Sequence, residues 1–240
     1  MKISKYLGVS LAAVSIVTAS GCSDSDNDTH NEAMTPVVTE LSFEVTVTNL
    51  TSNQPLSPIA TMIDDGTYSP WSVGSAASDG LELLAESGDG GPFLIEADTA
   101  GAYATLAGNG VILPGASETL TIDTTEYAQL NLSLATMLVN TNDAFAGLKG
   151  IDVSNLSIGE ELTLSIPVYD AGTEMNSEAA GTIPGPADGG EGYNVVRDDV
   201  DLVARHPGVV SNVDGYADSV LDSSHRFDGP VAKLHIRRAL

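Results

Sequence analysis

Cysteine occurs once in the 240 residues, at Cys22, so the chain can close no internal disulfide and must be held by packing, with a bound metal as the other available staple. Basic residues are scarce as well: 9 lysines and arginines stand against 33 aspartates and glutamates, a formal net charge of −24. A surface with that balance repels nucleic acid and anionic lipid and attracts cations, although a salty habitat selects for the same excess. Tryptophan appears once, at Trp71, and aromatics make up 5% of the chain, which leaves little to stack sugar rings in a glycosidase cleft. The histidines, His30, His206, His225 and His235, form no HExxH pattern and a single cysteine allows no CxxC, so zinc is not expected. No Gly-x-Ser-x-Gly elbow supports serine hydrolase chemistry, and no repeat recurs at a solenoid or propeller period.

The N-terminus carries an address. Lys2 and Lys5 precede an apolar run from Leu7 to Thr18 that is too short for a stable membrane span, so residues 1–21 read as an export signal. The run ends Thr18-Ala19-Ser20-Gly21-Cys22, which resembles a bacterial lipobox, and Cys22 is then the lipidated N-terminus. Ser23 in place of an aspartate after it resembles lipoproteins sorted to the outer membrane. More than one acyl chain on that cysteine meets the requirement for stable anchoring. Removing the signal takes away two lysines and no acid, so 7 basic residues face 33 acidic ones and the net charge becomes −26. Residues 22–40 are polar, acidic and without apolar periodicity, a flexible tether. Asp24, Asp26 and Asp28 alternate as at the start of an EF-hand loop, but Thr29 stands where the turn glycine belongs.

Residues 41–240 suit one all-β domain. Leu41 to Asn49 alternates apolar and polar residues without a fault, and Ile59–Ile63, Glu118–Asp123, Gln129–Val139, Glu161–Val168 and Pro230–Arg238 are the other strand candidates. Ser75–Glu86 is the clearest helix, with Ser87-Gly-Asp-Gly-Gly-Pro92 stopping it. That glycine-rich stretch follows a helix and lacks a GK[ST] ending, so it is not a phosphate loop. Gly181–Gly192 is too rich in Gly and Pro for regular structure and predicts a long surface loop. An antiparallel sandwich with one or two short helices in its connections is therefore expected over βαβ units.

Two stretches place acids where a strand gives way to a Gly-containing turn: Asn142–Leu148, with Asp143, and Val168–Glu174, with Asp170 and Glu174. Gly172 lets the backbone fold back between Asp170 and Glu174, so that both carboxylates and a carbonyl can face one ion, as the six to eight oxygens around calcium require. A solvated turn closed by an Asx hydrogen bond is the alternative for Asp170 and Glu174, and an ordinary turn acid for Asp143.

Five motifs carry a resemblance. Asn49-Leu-Thr-Ser-Asn-Gln-Pro-Leu-Ser-Pro58, Thr141-Asn-Asp-Ala-Phe-Ala-Gly-Leu148, Ile166-Pro-Val-Tyr-Asp-Ala-Gly-Thr-Glu174, His206-Pro-Gly208 and Pro230-Val-Ala-Lys-Leu-His-Ile-Arg237 occur in the order expected of the spondin N-terminal domain. The chain resembles a bacterial member from about Leu41 onward. The resemblance implies a C2-like antiparallel β-sandwich with a calcium ion held by loops at one end. Its ligands fall on Asp143, from a Ser-Pro-Asp-Trp-type motif, and on Asp170 and Glu174, from an Asp-Ala-Gly-Thr-Asp-type motif. Ala144 stands here in place of the family's aromatic residue, and Glu174 in place of its last aspartate.

The function expected on these grounds is a non-enzymatic, envelope-anchored adhesion or interaction module that binds Ca2+, with an extracellular protein or polysaccharide as partner and no nucleic acid. A secreted hydrolase using Asp170 or Glu174 with His206 or His225, and a structural lipoprotein without ligand, are the alternatives.

Overall fold

The computed structural model describes residues 39–240; the expected signal, Cys22, the EF-like aspartates and nearly all of the tether lie outside the described residues. Ten strands form two antiparallel sheets. The first contains β1 (Glu40–Asn49), β4 (Ser117–Thr125), β7 (Glu161–Ile166) and β10 (Ala232–Arg238) in the order β4-β1-β10-β7. The second orders β3 (Ala104–Ala107), β2 (Ala60–Asp64), β5 (Asn131–Met137), β6 (Ala144–Asp152), β8 (Val168–Asp170) and β9 (Ala204–Arg205) as β3-β2-β5-β6-β8-β9. The all-β sandwich with short helices expected from the sequence is the observed architecture.

The alternation in β1 works as a half-buried strand should: Leu41, Phe43, Val45 and Val47 are buried and meet Leu132, Leu134 and Ile236 in the core between the sheets. The second sheet differs, because its other face is covered too. Helices α1 (Asp79–Ser87) and α2 (Gly91–Thr99) pack Leu81, Leu84 and Phe93 against Ala60, Met62, Trp71, Ala135 and Phe145. Every residue of β2 and β5 is buried as a result.

That third layer explains where the sequence reading departs from the structure. The stretch Asn142–Leu148, expected to be a glycine turn, is mostly strand β6: Ala144, Phe145 and Ala146 are fully buried, and small residues fit a central strand with cover on both sides. Gly147 belongs to that strand because a Cβ there would come within 2.8 Å of Trp71 Cη2. The expected strand Glu161–Val168 is two strands in two sheets, since Pro167 cannot donate to a ladder and the chain changes sheets there. Pro92, expected to stop a helix, lies in the first turn of a second one, α2, where a missing N–H costs nothing. Helix α1 itself starts at Asp79, capped by Ser78, whose Oγ accepts from Leu81 N at 3.2 Å. Glu96 of α2 closes the same end, accepting from Ser78 Oγ at 2.6 Å and from Gly80 N at 2.7 Å. Among the described residues no helix is long and apolar enough to cross a membrane.

Candidate metal centre

The antiparallel pairing of β6 with β8 sets Ala144 opposite Asp170, so Asp143, one residue before β6, lies beside the turn that follows β8. The amide of Ala171 donates to Asp143 O at 3.3 Å and continues the ladder by one step. Beyond it the chain reverses at Gly172, whose φ of +72° suits glycine and whose missing Cβ would lie 2.5 Å from Leu202 O. Both requirements are local to this position. The turn then lays the amides of Thr173 and Glu174 on Asp143 Oδ2, at 2.8 and 3.1 Å, with Thr173 Oγ1 at 3.2 Å.

The three carboxylates expected at the site are therefore brought to one turn, and all are buried: Asp143 is 0% exposed, Asp170 and Glu174 6% each. They are not equivalent. Asp170 Oδ1 accepts from Gly172 N at 2.7 Å, the Asx turn named as the alternative, and Asp170 Oδ2 accepts from Asn176 Nδ2. Asp143 Oδ1 and Glu174 Oε2 have no partner at all. Leaving a buried acceptor bare costs on the order of 1–3 kcal/mol, more for a charged group, so such atoms call for a ligand or a proton.

A fourth acid, missed in the sequence, completes the environment. Glu86 on α1 is fully buried; its Oε2 accepts from Asn194 N at 2.9 Å and its Oε1 is bare. Of the six buried side-chain polar atoms without a partner among the described residues, these three belong to one acidic cluster. Its electrostatics follow from crowding. Burial, with the charge of Asp170 second, pushes the Asp143 carboxyl up to about 7. Burial, followed by Glu86 and then Asp143, pushes Glu174 up to about 8, and burial raises Glu86. The only periodic signal for Glu86 was its i, i+4 relation to Glu82 on the buried side of α1, and the carboxylate reads in sequence as a solvated helix position. Glu82 answers a different need, pairing with Arg197 at 2.6 Å, while Arg197 also grips Asp201 at 2.6 Å and so ties the 194–201 segment to α1.

The surrounding loops are held by amide side chains. Gln54, fully buried, donates to Asn140 O and His225 O at 3.1 Å and accepts from Asn140 N at 3.1 Å. Asn142 donates to Thr182 O at 3.2 Å, and Gly185 approaches so closely that a Cβ would meet Val139 O at 2.3 Å. The Gly181–Gly192 segment is thus a loop, as expected, but one pressed onto the turn before Asp143, with Ile183 buried.

Neither histidine offers itself as a base beside the acids. His206 Nδ1 accepts from Gly208 N at 3.0 Å, which leaves the proton on Nε2 to be donated to Asn176 Oδ1 at 3.1 Å. Burial lowers its pKa to about 4 against the opposing pull of Asp170. His225 Nδ1 accepts from the amide of Asp222 at 3.1 Å, and its Nε2 lies 3.0 Å from the side-chain amide of Asn53. Among the described residues no three His, Cys, Asp or Glu side chains stand in metal-binding geometry, so a cation here would have to draw Asp143, Glu174 and Glu86 inward and add loop carbonyls. No protein-family model matches this chain, and no curated protein matches it.

Proposed function

We propose that this chain is a non-catalytic calcium-binding module anchored to the bacterial envelope through Cys22, which presents loops ordered by the cation to an extracellular protein or polysaccharide. The single observation that carries the cation is the set of three bare, buried carboxylate oxygens, Asp143 Oδ1, Glu174 Oε2 and Glu86 Oε1, in a chain with no disulfide to hold its loops. Bare oxygens of hard carboxylates suit a hard cation of flexible coordination, and calcium tolerates the irregular shell that two loops and a helix provide. The spondin resemblance, which implies Asp143, Asp170 and Glu174 as ligands, supports a cation at the same turn; the hydrogen bonds that engage both oxygens of Asp170 give it instead the role of positioning the turn. The buried acids and the doubly bonded His206 support a binding role over hydrolysis.

Melting of the purified protein in chelator, in calcium and in magnesium tests this. Saturation at about a hundred times the dissociation constant stabilises the fold by roughly 2.7 kcal/mol. Magnesium, which demands octahedral geometry and gives up water reluctantly, is expected to do less. Asp143→Asn and Glu174→Gln are expected to abolish the difference between calcium and chelator. Equal stabilisation of wild type and both variants, or by monovalent salt at matched ionic strength, is diffuse screening and overturns the site.

A further inference from the structure

A groove of about 550 Å3 opens where the chain changes sheets, between the free edge of β7 and the short strand β9. Its walls are largely apolar, with Leu148, Pro167, Val168, Phe227 and Pro230. Arg205, exposed on β9, lines it, and its guanidinium is stacked 4.6 Å from the Tyr169 ring centroid, which fixes its position.

What singles out this guanidinium is its lack of a partner. In a domain with a large acidic excess, the other described arginines are matched: Arg197 with Glu82 and Asp201, Arg226 with Asp214, Arg237 with Glu44, and Arg238 with two carbonyls. Lys149 donates to Ser69 Oγ and Trp71 O. Among the described lysines and arginines, only Arg205 and Lys233 have no hydrogen bond or acidic partner. Lys233 faces Ser165 across the β10 to β7 ladder, and Ser165 lines the same groove. Of these two unmatched cations Arg205 alone lines the groove, and Lys233 stands one ladder pair away from it, although acids are several times more numerous than bases on the chain.

We infer that this groove binds a small apolar carboxylate, its acid group held by the Arg205 fork and its hydrocarbon body lying on Phe227 and the prolines. A planar guanidinium takes a carboxylate through two parallel hydrogen bonds, and the volume falls within the range of ordinary ligand pockets. Asp228, exposed at the rim, repels an anion and restricts the ligand to a single negative charge. Nothing here depends on the cation at Asp143.

The test is calorimetric titration of the purified protein with 3-phenylpropionate and octanoate, and with 3-phenylpropionamide and phenethylamine as neutral and cationic counterparts, in chelator and again in calcium. Saturable binding of at least one carboxylate is expected, with none of the amide or amine. Arg205→Gln is expected to weaken it at least about tenfold, Arg205→Lys to weaken it less, and Asp228→Asn to tighten it. Arg205→Gln is to be melted alongside, and a shift in its unfolding shared by Arg205→Lys passes the decision to Asp228→Asn. Failure of both carboxylates to bind, equal binding of the amide, or affinity unchanged in Arg205→Gln and Asp228→Asn overturns the inference. A peptide that binds with its C-terminus amidated as well as free does so too, since that occupant would be held by its backbone.

Discussion

The backbone amide of Glu174 donates to Asp143 Oδ2 at 3.1 Å, while one oxygen of each carboxylate is left buried and bare. The first acid thus holds in place the chain segment that carries the second. Positioning does not need the ion, because three hydrogen bonds to one oxygen of Asp143 fold the turn; the repulsion of the remaining oxygens is what an ion or a proton relieves.

Stability without a cation is expected to fall with rising pH. Asp143 and Glu174 have folded pKa values of about 7 and about 8 against ordinary values of 3.8 and 4.5. A raised carboxyl means that the folded state holds protons which the unfolded state has released. Stability from these groups is therefore complete below about pH 4 and is lost progressively as pH rises to about 8. Melting in chelator between pH 5 and 9 checks the sign, and Glu174→Gln should flatten the curve. A calcium ion bound as proposed would replace the protons, so its affinity should climb over the same range. A chelated wild type that grows more stable toward pH 8 would contradict the electrostatics described here.

Gln54→Ala is expected to destabilise the protein by about 1–3 kcal/mol, because it strips partners from buried backbone groups of Asn140 and His225. Denaturant unfolding measures the loss. Calcium affinity should drop with it, since the turn before Asp143 loses its brace; a weakened fold with unaltered affinity would confine Gln54 to a structural role.

Gly172→Ala faces two penalties at once, a left-handed φ of +72° and a Cβ 2.5 Å from Leu202 O. The conformational part alone is on the order of 1–2 kcal/mol. The clash should also push the 198–203 segment outward, which faster amide exchange at Asp198 and Asp201 would report, as these amides donate to Thr173 O and Gly172 O. Gly101→Ala, at a similar φ of +97° with open space around it, is the control for the conformational part.

Anchoring is tested by labelling cells with a palmitate analogue. The wild-type chain should take up label and Cys22→Ala should not, because Cys22 is the only cysteine. Equal labelling of both removes the lipid from the proposed function.

The sequence by itself determined the all-β architecture, because strict alternation in β1, β7 and β10 has meaning only for sheets with one face in a core. It also marked the turn at Gly172 and the acids on either side of it. Tertiary structure decided the rest. Strand β5 and the first half of β6 are buried on both faces because α1 covers the second one, and no local pattern reveals cover supplied by a helix about forty or more residues upstream. Pro167 was visible in the chain, but that it moves the strand from one sheet to the other depends on where β6 and β10 already lie. Glu86 was invisible as a site residue, since a glutamate on a helix reads as solvated until the 194–201 segment closes over it. Conversely Asp170, prominent in sequence, has both oxygens engaged by its own turn and by Asn176. Which carboxylate oxygens are left bare is settled by hydrogen-bond geometry, and geometry of that kind comes only from the folded chain.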